Sequence, residues 1–107
     1  MALVQIDNYK TYLVDVLDTT GLLVKSGVGA MVDGVALVAG MMVLCTNETN
    51  LSDNGIYIVK AGAWDRTFPK EEGRPNVYIE RGLTHQFEWW HAHEEDWSTG
   101  DSTWEKS

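Results

Sequence analysis

The residue types best suited to chemistry crowd the C-terminal part of the chain. His91 and His93 are followed directly by Glu94 and Glu95, and His85 lies a few residues upstream. On a strand, alternate side chains share a face, so both imidazoles could reach one Zn²⁺ with His85 as a third ligand. No HExxH or CxxC spacing accompanies them, and the competing reading is a solvated strand face with Trp90 and Ala92 turned the other way. Glu88, Glu94, Glu95, Asp96 and Asp101 could offer oxygens to Ca²⁺, but they lack the ligand alternation and glycine of a calcium loop. They fit better as an acidic face able to dock on a basic partner surface. The reading therefore assigns no metal site and no cofactor.

Catalytic signatures are absent as well: there is no GxSxG elbow and no phosphate-cradling loop. Asp65 and Arg66 read as a surface ion pair, and the chain reads as a non-enzyme. The five tryptophans are the more telling feature, four of them at Trp89, Trp90, Trp97 and Trp104. Indole rings fill cores, anchor protein interfaces and stack on sugar faces. Trp89 and Trp90 must point to opposite faces of a strand, so they cannot form one platform together. The single cysteine, Cys45, excludes an internal disulfide; beside Met42, Val43 and Leu44 it reads as a small buried hydrophobe.

The elements that position these residues belong to one small domain of 107 residues. Net charge is −8, with three bases against six acids up to Ala63 and five against ten from Trp64 onward. Nucleic acid and anionic membranes need a positive surface, so neither is expected as a partner. No signal segment and no membrane-length apolar run is evident, so a soluble chain is expected.

Turn signals recur about every 8–12 residues and separate about seven short strands, the pattern of a mostly-β fold, a small antiparallel barrel or sandwich. Residues 1–20 read as an N-terminal arm, Met1–Lys10, and a first strand over Tyr12–Leu17. A short helix over Tyr9–Leu17 is the alternative there. Residues 21–107 read as the β domain. Leu22–Val24 reads as a strand. Asp33-Gly34 between apolar flanks signals a hairpin, because Gly supplies the positive φ that tight turns require. Gly40 breaks the chain before a buried strand over Met41–Thr46. Asn47–Gly55 is a polar loop closing on Asn54-Gly55, and Ile56–Val59 is a strand. Asn76–Arg81 alternates, with Val77 and Ile79 on one face and Tyr78 and Glu80 on the other. Extended segments at Phe87–His93 and Thr103–Glu105 follow.

The ordered pieces Asp33-Gly34-Val35 with Gly40 and Val43-Leu44, then Asn54-Gly55-Ile56-Tyr57-Ile58-Val59, then Gly62-Ala63-Trp64-Asp65-Arg66, resemble a module common in bacteriophage tail-fibre and related virion proteins. Val77-Tyr78-Ile79-Glu80-Arg81-Gly82 and Trp104 extend the likeness, so it covers about residues 20–107. Members usually carry an Asp-Arg pair after the glycine at position 40; here Met41 and Met42 replace it with soft apolar surface that a neighbour could cover.

The resemblance implies a structural protein of a tailed-phage virion, either a tail or tail-fibre component or a capsid decoration protein. It would be assembled in the host cytoplasm and act through protein–protein contacts with other virion proteins and with copies of itself. Met41, Met42, Trp89, Trp90 and Trp97 are the expected interface residues, and Asp33, Gly34, Gly40, Asn54 and Gly55 the fold-defining turn residues. The alternative is a carbohydrate-binding module that meets a host glycan through exposed tryptophan.

Overall fold

The computed structural model describes residues 9–66, 74–92 and 103–107. Among them are ten short strands: β1 Tyr9–Val14, β2 Val16–Asp18, β3 Met31–Val32, β4 Val35–Ala36, β5 Met42–Cys45, β6 Gly55–Ile58, β7 Asp65–Arg66, β8 Arg74–Ile79, β9 Trp89–Ala92 and β10 Trp104–Lys106. The fold is mostly β and sandwich-like, with no closed barrel among the described residues. One four-stranded sheet runs β1-β8-β9-β10, a second runs β2-β5-β6-β7, and β3-β4 is a separate hairpin.

The helical alternative over Tyr9–Leu17 gives way to strand, since the segment pairs edge to edge along its length. It serves both sheets. β1 runs parallel to β8, the chain bends at Asp15, and β2 runs parallel to β5. The Asp15 N–H donates to the Met42 carbonyl (2.9 Å), and its Oδ2 accepts from the Met42 N–H (2.9 Å), fixing the bend where the strand changes sheet. These two parallel pairs qualify the antiparallel expectation; the other pairings are antiparallel.

The two sheets differ in what covers them. Leu17, Leu44 and Ile56 face the first sheet and pack with Val14, Val77, Ile79, Ala92 and Trp104. Val16, Val43, Cys45 and Tyr57 face the other way and pack with Val32, Leu37, Val59 and Trp64 from the hairpin and its flanking chain. The second sheet is therefore buried on both sides, which is why β5 and the start of β6 read as unbroken apolar runs. Among the described residues the first sheet is covered on one side only, and it keeps a strict alternation: Val77 and Ile79 are buried, Tyr78 is half-buried and Glu80 exposed.

The turn residues fall as follows. Asp33 (φ +46) and Gly34 (φ +80) form a two-residue turn with positive φ at both positions, between the paired Val32 and Val35. Gly40 also takes positive φ (+93) before β5. Asn54-Gly55 behaves differently from a simple turn. Asn54 is fully buried, its Oδ1 accepts the Glu48 N–H (2.8 Å) and so braces the polar loop, while Gly55 opens β6. The strand expected at Leu22–Val24 does not form. Leu22 and Val24 are exposed and Leu23 is half-buried, so the alternation is real but no neighbouring strand pairs with it. The N-terminal residues 1–8 lie outside the described residues.

Candidate functional site

The uncovered side of the first sheet carries the most distinctive surface. The register places Leu13 beside Tyr78 and Tyr78 beside Trp89, so one row of side chains crosses β1, β8 and β9 on the outer face. Leu13 is 55% exposed and Trp89 38% exposed, large apolar residues that the sandwich leaves in water. The Tyr78 and Trp89 rings sit 4.8 Å apart between centroids, and Tyr78 also stacks on Phe87 at 6.4 Å with an 18° interplanar angle. The row is thus a small aromatic ladder.

Phe87 reaches this ladder through a bulge. The Ile79 N–H donates to the Glu88 carbonyl (3.0 Å) while the Phe87 N–H donates to the Ile79 carbonyl (2.7 Å), so two residues oppose one. Phe87 holds φ +71, a left-handed conformation that suits glycine, and costs a bulky L-residue about 1–2 kcal/mol. Its ring nevertheless stays 64% exposed, so little burial offsets that cost.

Glu88 anchors the end of the ladder from the inner side. Its Oε1 accepts from Trp90 Nε1 (3.0 Å) and lies 2.9 Å from His85 Nδ1, and its Oε2 lies 3.2 Å from Lys106 Nζ. Burial pushes the Glu88 carboxyl up, but hydrogen bonds from Trp90, His85 and Lys106 together outweigh it and hold the group below its ordinary value. Trp90 packs half-buried against the core between the sheets.

Met41 and Met42 are half-buried and pack against the two core clusters, Met42 on one and Met41 on the other. Trp64 is buried and donates Nε1 to the Gly27 carbonyl (2.8 Å), and Trp104 is buried under the first sheet. Tyr57 is buried and donates its hydroxyl to the Asp53 carbonyl (2.6 Å). Asp65 pairs with Lys60, and Arg66 Nη2 donates to the Asn54 carbonyl, so the two do not form the expected pair with each other. His91 lies on the outer face with Nδ1 2.8 Å from Ser107 Oγ, while His85 is turned to Glu88. The two histidines join no group of three metal-ligating side chains among the described residues. His93, Glu94, Glu95, Asp96, Trp97 and Asp101 lie outside the described residues.

Sequence reasoning named Trp89 but missed Leu13, Tyr78 and Phe87. Tyr78 and Leu13 were visible as the outward positions of alternating strands. That they share one row depends on the parallel β1–β8 register, which no local signal encodes. Compared with family models, with curated proteins and with solved structures, the chain finds no match. Among the described residues no helix is long and apolar enough to cross a membrane.

Proposed function

We propose that this chain is a structural component of a tailed-bacteriophage virion, a tail or tail-fibre part or a capsid decoration protein, that works by protein–protein assembly. The ordered motifs from Asp33 to Trp104 support the virion setting. The observation that carries the mode of action is the outer apolar row of Leu13, Tyr78 and Trp89 with Phe87 beside it. Aromatic rings left in water on a sheet face are typical anchors of a protein interface, where burial of each is strongly favourable. A neighbouring virion subunit laid on this face would cover the side of the first sheet that the described residues leave open. The net charge of −8 favours a partner with a basic rim.

The copy number of the chain in purified particles, measured by quantitative mass spectrometry against the major capsid protein, tests the virion setting. Copies in fixed ratio to the capsid protein fit a decoration protein or a repeated ring, and a few to a few tens fit the tail tip or fibres. Absence from the particle overturns the proposal. The same rings could stack on a sugar, which is the second reading: a host-glycan module. It predicts quenching of Trp89 fluorescence by soluble glycans and loss of that response in Trp89→Ala, whereas assembly predicts loss of subunit association in that variant and no response to sugars.

A further inference from the structure

Away from the aromatic row, the parallel pairing of β2 with β5 sets Asp18 directly beside Cys45. The polar loop that Asn54 braces then brings Glu48 back over the same spot. A carboxylate oxygen of Asp18, the Cys45 sulfur and a carboxylate oxygen of Glu48 all lie within 4.8 Å of one another. Asp18 and Cys45 are buried, 5% and 0% exposed, and Glu48 is half-buried with its side chain 9% exposed.

Each carboxylate has one oxygen committed and one free. Asp18 Oδ1 accepts from the Thr20 hydroxyl (2.7 Å) and the Thr20 N–H (3.3 Å). Glu48 Oε1 pairs with Lys25 Nζ at 2.7 Å, and that ammonium also sits 5.3 Å from the centre of the Tyr57 ring. Asp18 Oδ2 and Glu48 Oε2 are buried and make no hydrogen bond among the described residues. Buried carboxylate oxygens without partners are costly, and one lysine cannot neutralise two carboxylates. The local charge is one cation short.

We infer that Asp18, Cys45 and Glu48 form a binding site for a borderline-soft divalent cation, Zn²⁺ being the best fit. Thiolate sulfur excludes Ca²⁺ and Mg²⁺ as preferred occupants, while a mixed sulfur and carboxylate set suits zinc. With Cys45 bound as thiolate, its proton having passed to solvent, three negative ligands, one Zn²⁺ and Lys25 sum to zero. Tetrahedral zinc, with Zn–S about 2.3 Å and Zn–O about 2.0–2.2 Å, spaces its ligand atoms by about 3.5 Å, a displacement of about an ångström or less from the arrangement described. Three protein ligands leave a fourth position for water. Asp18 also borders an open groove of about 330 Å³, lined by Thr20, Leu22, Met31 and Val32. The Thr20 and Lys25 contacts supply the outer hydrogen bonds that orient metal-bound carboxylates. The inference is independent of the assembly reading.

Cobalt substitution tests it on the full chain under reducing conditions. Titration with Co²⁺ should reach one equivalent and raise a near-ultraviolet sulfur-to-cobalt band together with intense tetrahedral d–d bands. Because Cys45 is the one cysteine in the sequence, that band identifies it without any variant. Zn²⁺ should displace the cobalt and raise the melting temperature, and EDTA should reverse the rise. Cys45→Ser should abolish the sulfur band, Asp18→Asn and Glu48→Gln should each weaken binding tenfold or more, and a His91→Ala/His93→Ala variant should bind as the parent does. The inference is overturned if the parent chain shows no sulfur-to-cobalt band and no metal-dependent shift in melting temperature. Persistence of the band in Cys45→Ser overturns it equally.

Discussion

Asp33 should be worth more to this fold than a turn residue ordinarily is. It occupies the first position of the β3–β4 turn at φ +46, where alanine is penalised by about 1 kcal/mol or somewhat more. Its carboxylate also reaches across the fold to a loop far away in sequence. Oδ2 accepts the His85 N–H at 2.8 Å, and both oxygens accept the Thr84 N–H, at 2.9 and 3.0 Å. The Asp33 carbonyl takes the Leu83 N–H as well (2.9 Å). Hydrogen bonds to a charged group contribute about 1.5–3 kcal/mol when shielded. The Thr84 bond is exposed and counts for little, whereas the His85 bond is part-buried, so loss of the carboxylate should cost about 2 kcal/mol. Asp33→Ala should therefore destabilise by about 3 kcal/mol in urea unfolding, and Asp33→Asn, which tolerates left-handed φ and keeps one acceptor, by about 1 kcal/mol. Burial pushes the Asp33 carboxyl up, but the His85 and Thr84 amides outweigh it and hold the group below 3.8. A depressed folded value stabilises above the unfolded one and is lost as pH falls through the folded one, so the gap between parent and Asp33→Asn should shrink below about pH 3.8. A gap that stays constant into acid, or an Asp33→Ala cost within 0.5 kcal/mol of zero, would refute the reasoning.

Phe87→Gly should raise stability by about 1 kcal/mol in the same assay, because it releases left-handed strain and surrenders little buried area, while it weakens association through the outer face of the first sheet. Glu88→Gln should cost about 1–2 kcal/mol at neutral pH, since it strips the charge from an acceptor shared by Trp90, His85 and Lys106. That cost should fade as pH drops below about 4.5, where the depressed carboxyl of the parent also becomes protonated; a pH series of thermal melts checks it.

What was legible in the sequence was what short-range chemistry dictates. Asp33-Gly34 between valines specifies its turn because few other residues accept positive φ twice in succession. The alternation of Val77, Tyr78, Ile79 and Glu80 specifies a one-sided sheet face, and the structure buries the first and third as expected. Cys45 is a core residue as read, and Tyr57 and Trp64 join it in the core with their polar edges satisfied by carbonyls. Leu22–Val24 misled because three successive apolar residues read as a strand, whereas only Leu23 packs against the core and no neighbouring strand among the described residues pairs with the segment. The parallel pairings were invisible for a related reason: β1 meets β8 across most of the chain, and no turn residue marks a contact made at that distance. Both sites follow from those two pairings. Leu13 joins Tyr78 only through β1–β8, and Asp18 meets Cys45 only through β2–β5.

The bend at Asp15 therefore links the outer row and the buried cluster. A single extended segment, Tyr9–Asp18, crosses from one sheet to the other, so its first part presents Leu13 to the outside and its last part carries Asp18 into the buried cluster. Conventional hairpins at both ends would have paired this segment with its sequence neighbours and produced neither arrangement. The second sheet, covered on both faces, has room for a buried polar cluster only where the parallel edge brings a β2 residue against β5. The first sheet, covered on one face, has room for exposed aromatics only on the other. Strain tells the same story at Phe87: an aromatic residue is kept where glycine would fit the backbone better, on the face the fold leaves open. Within the chain the ring has its stack on Tyr78, and the proposed contact with another subunit would bury what that stack leaves exposed.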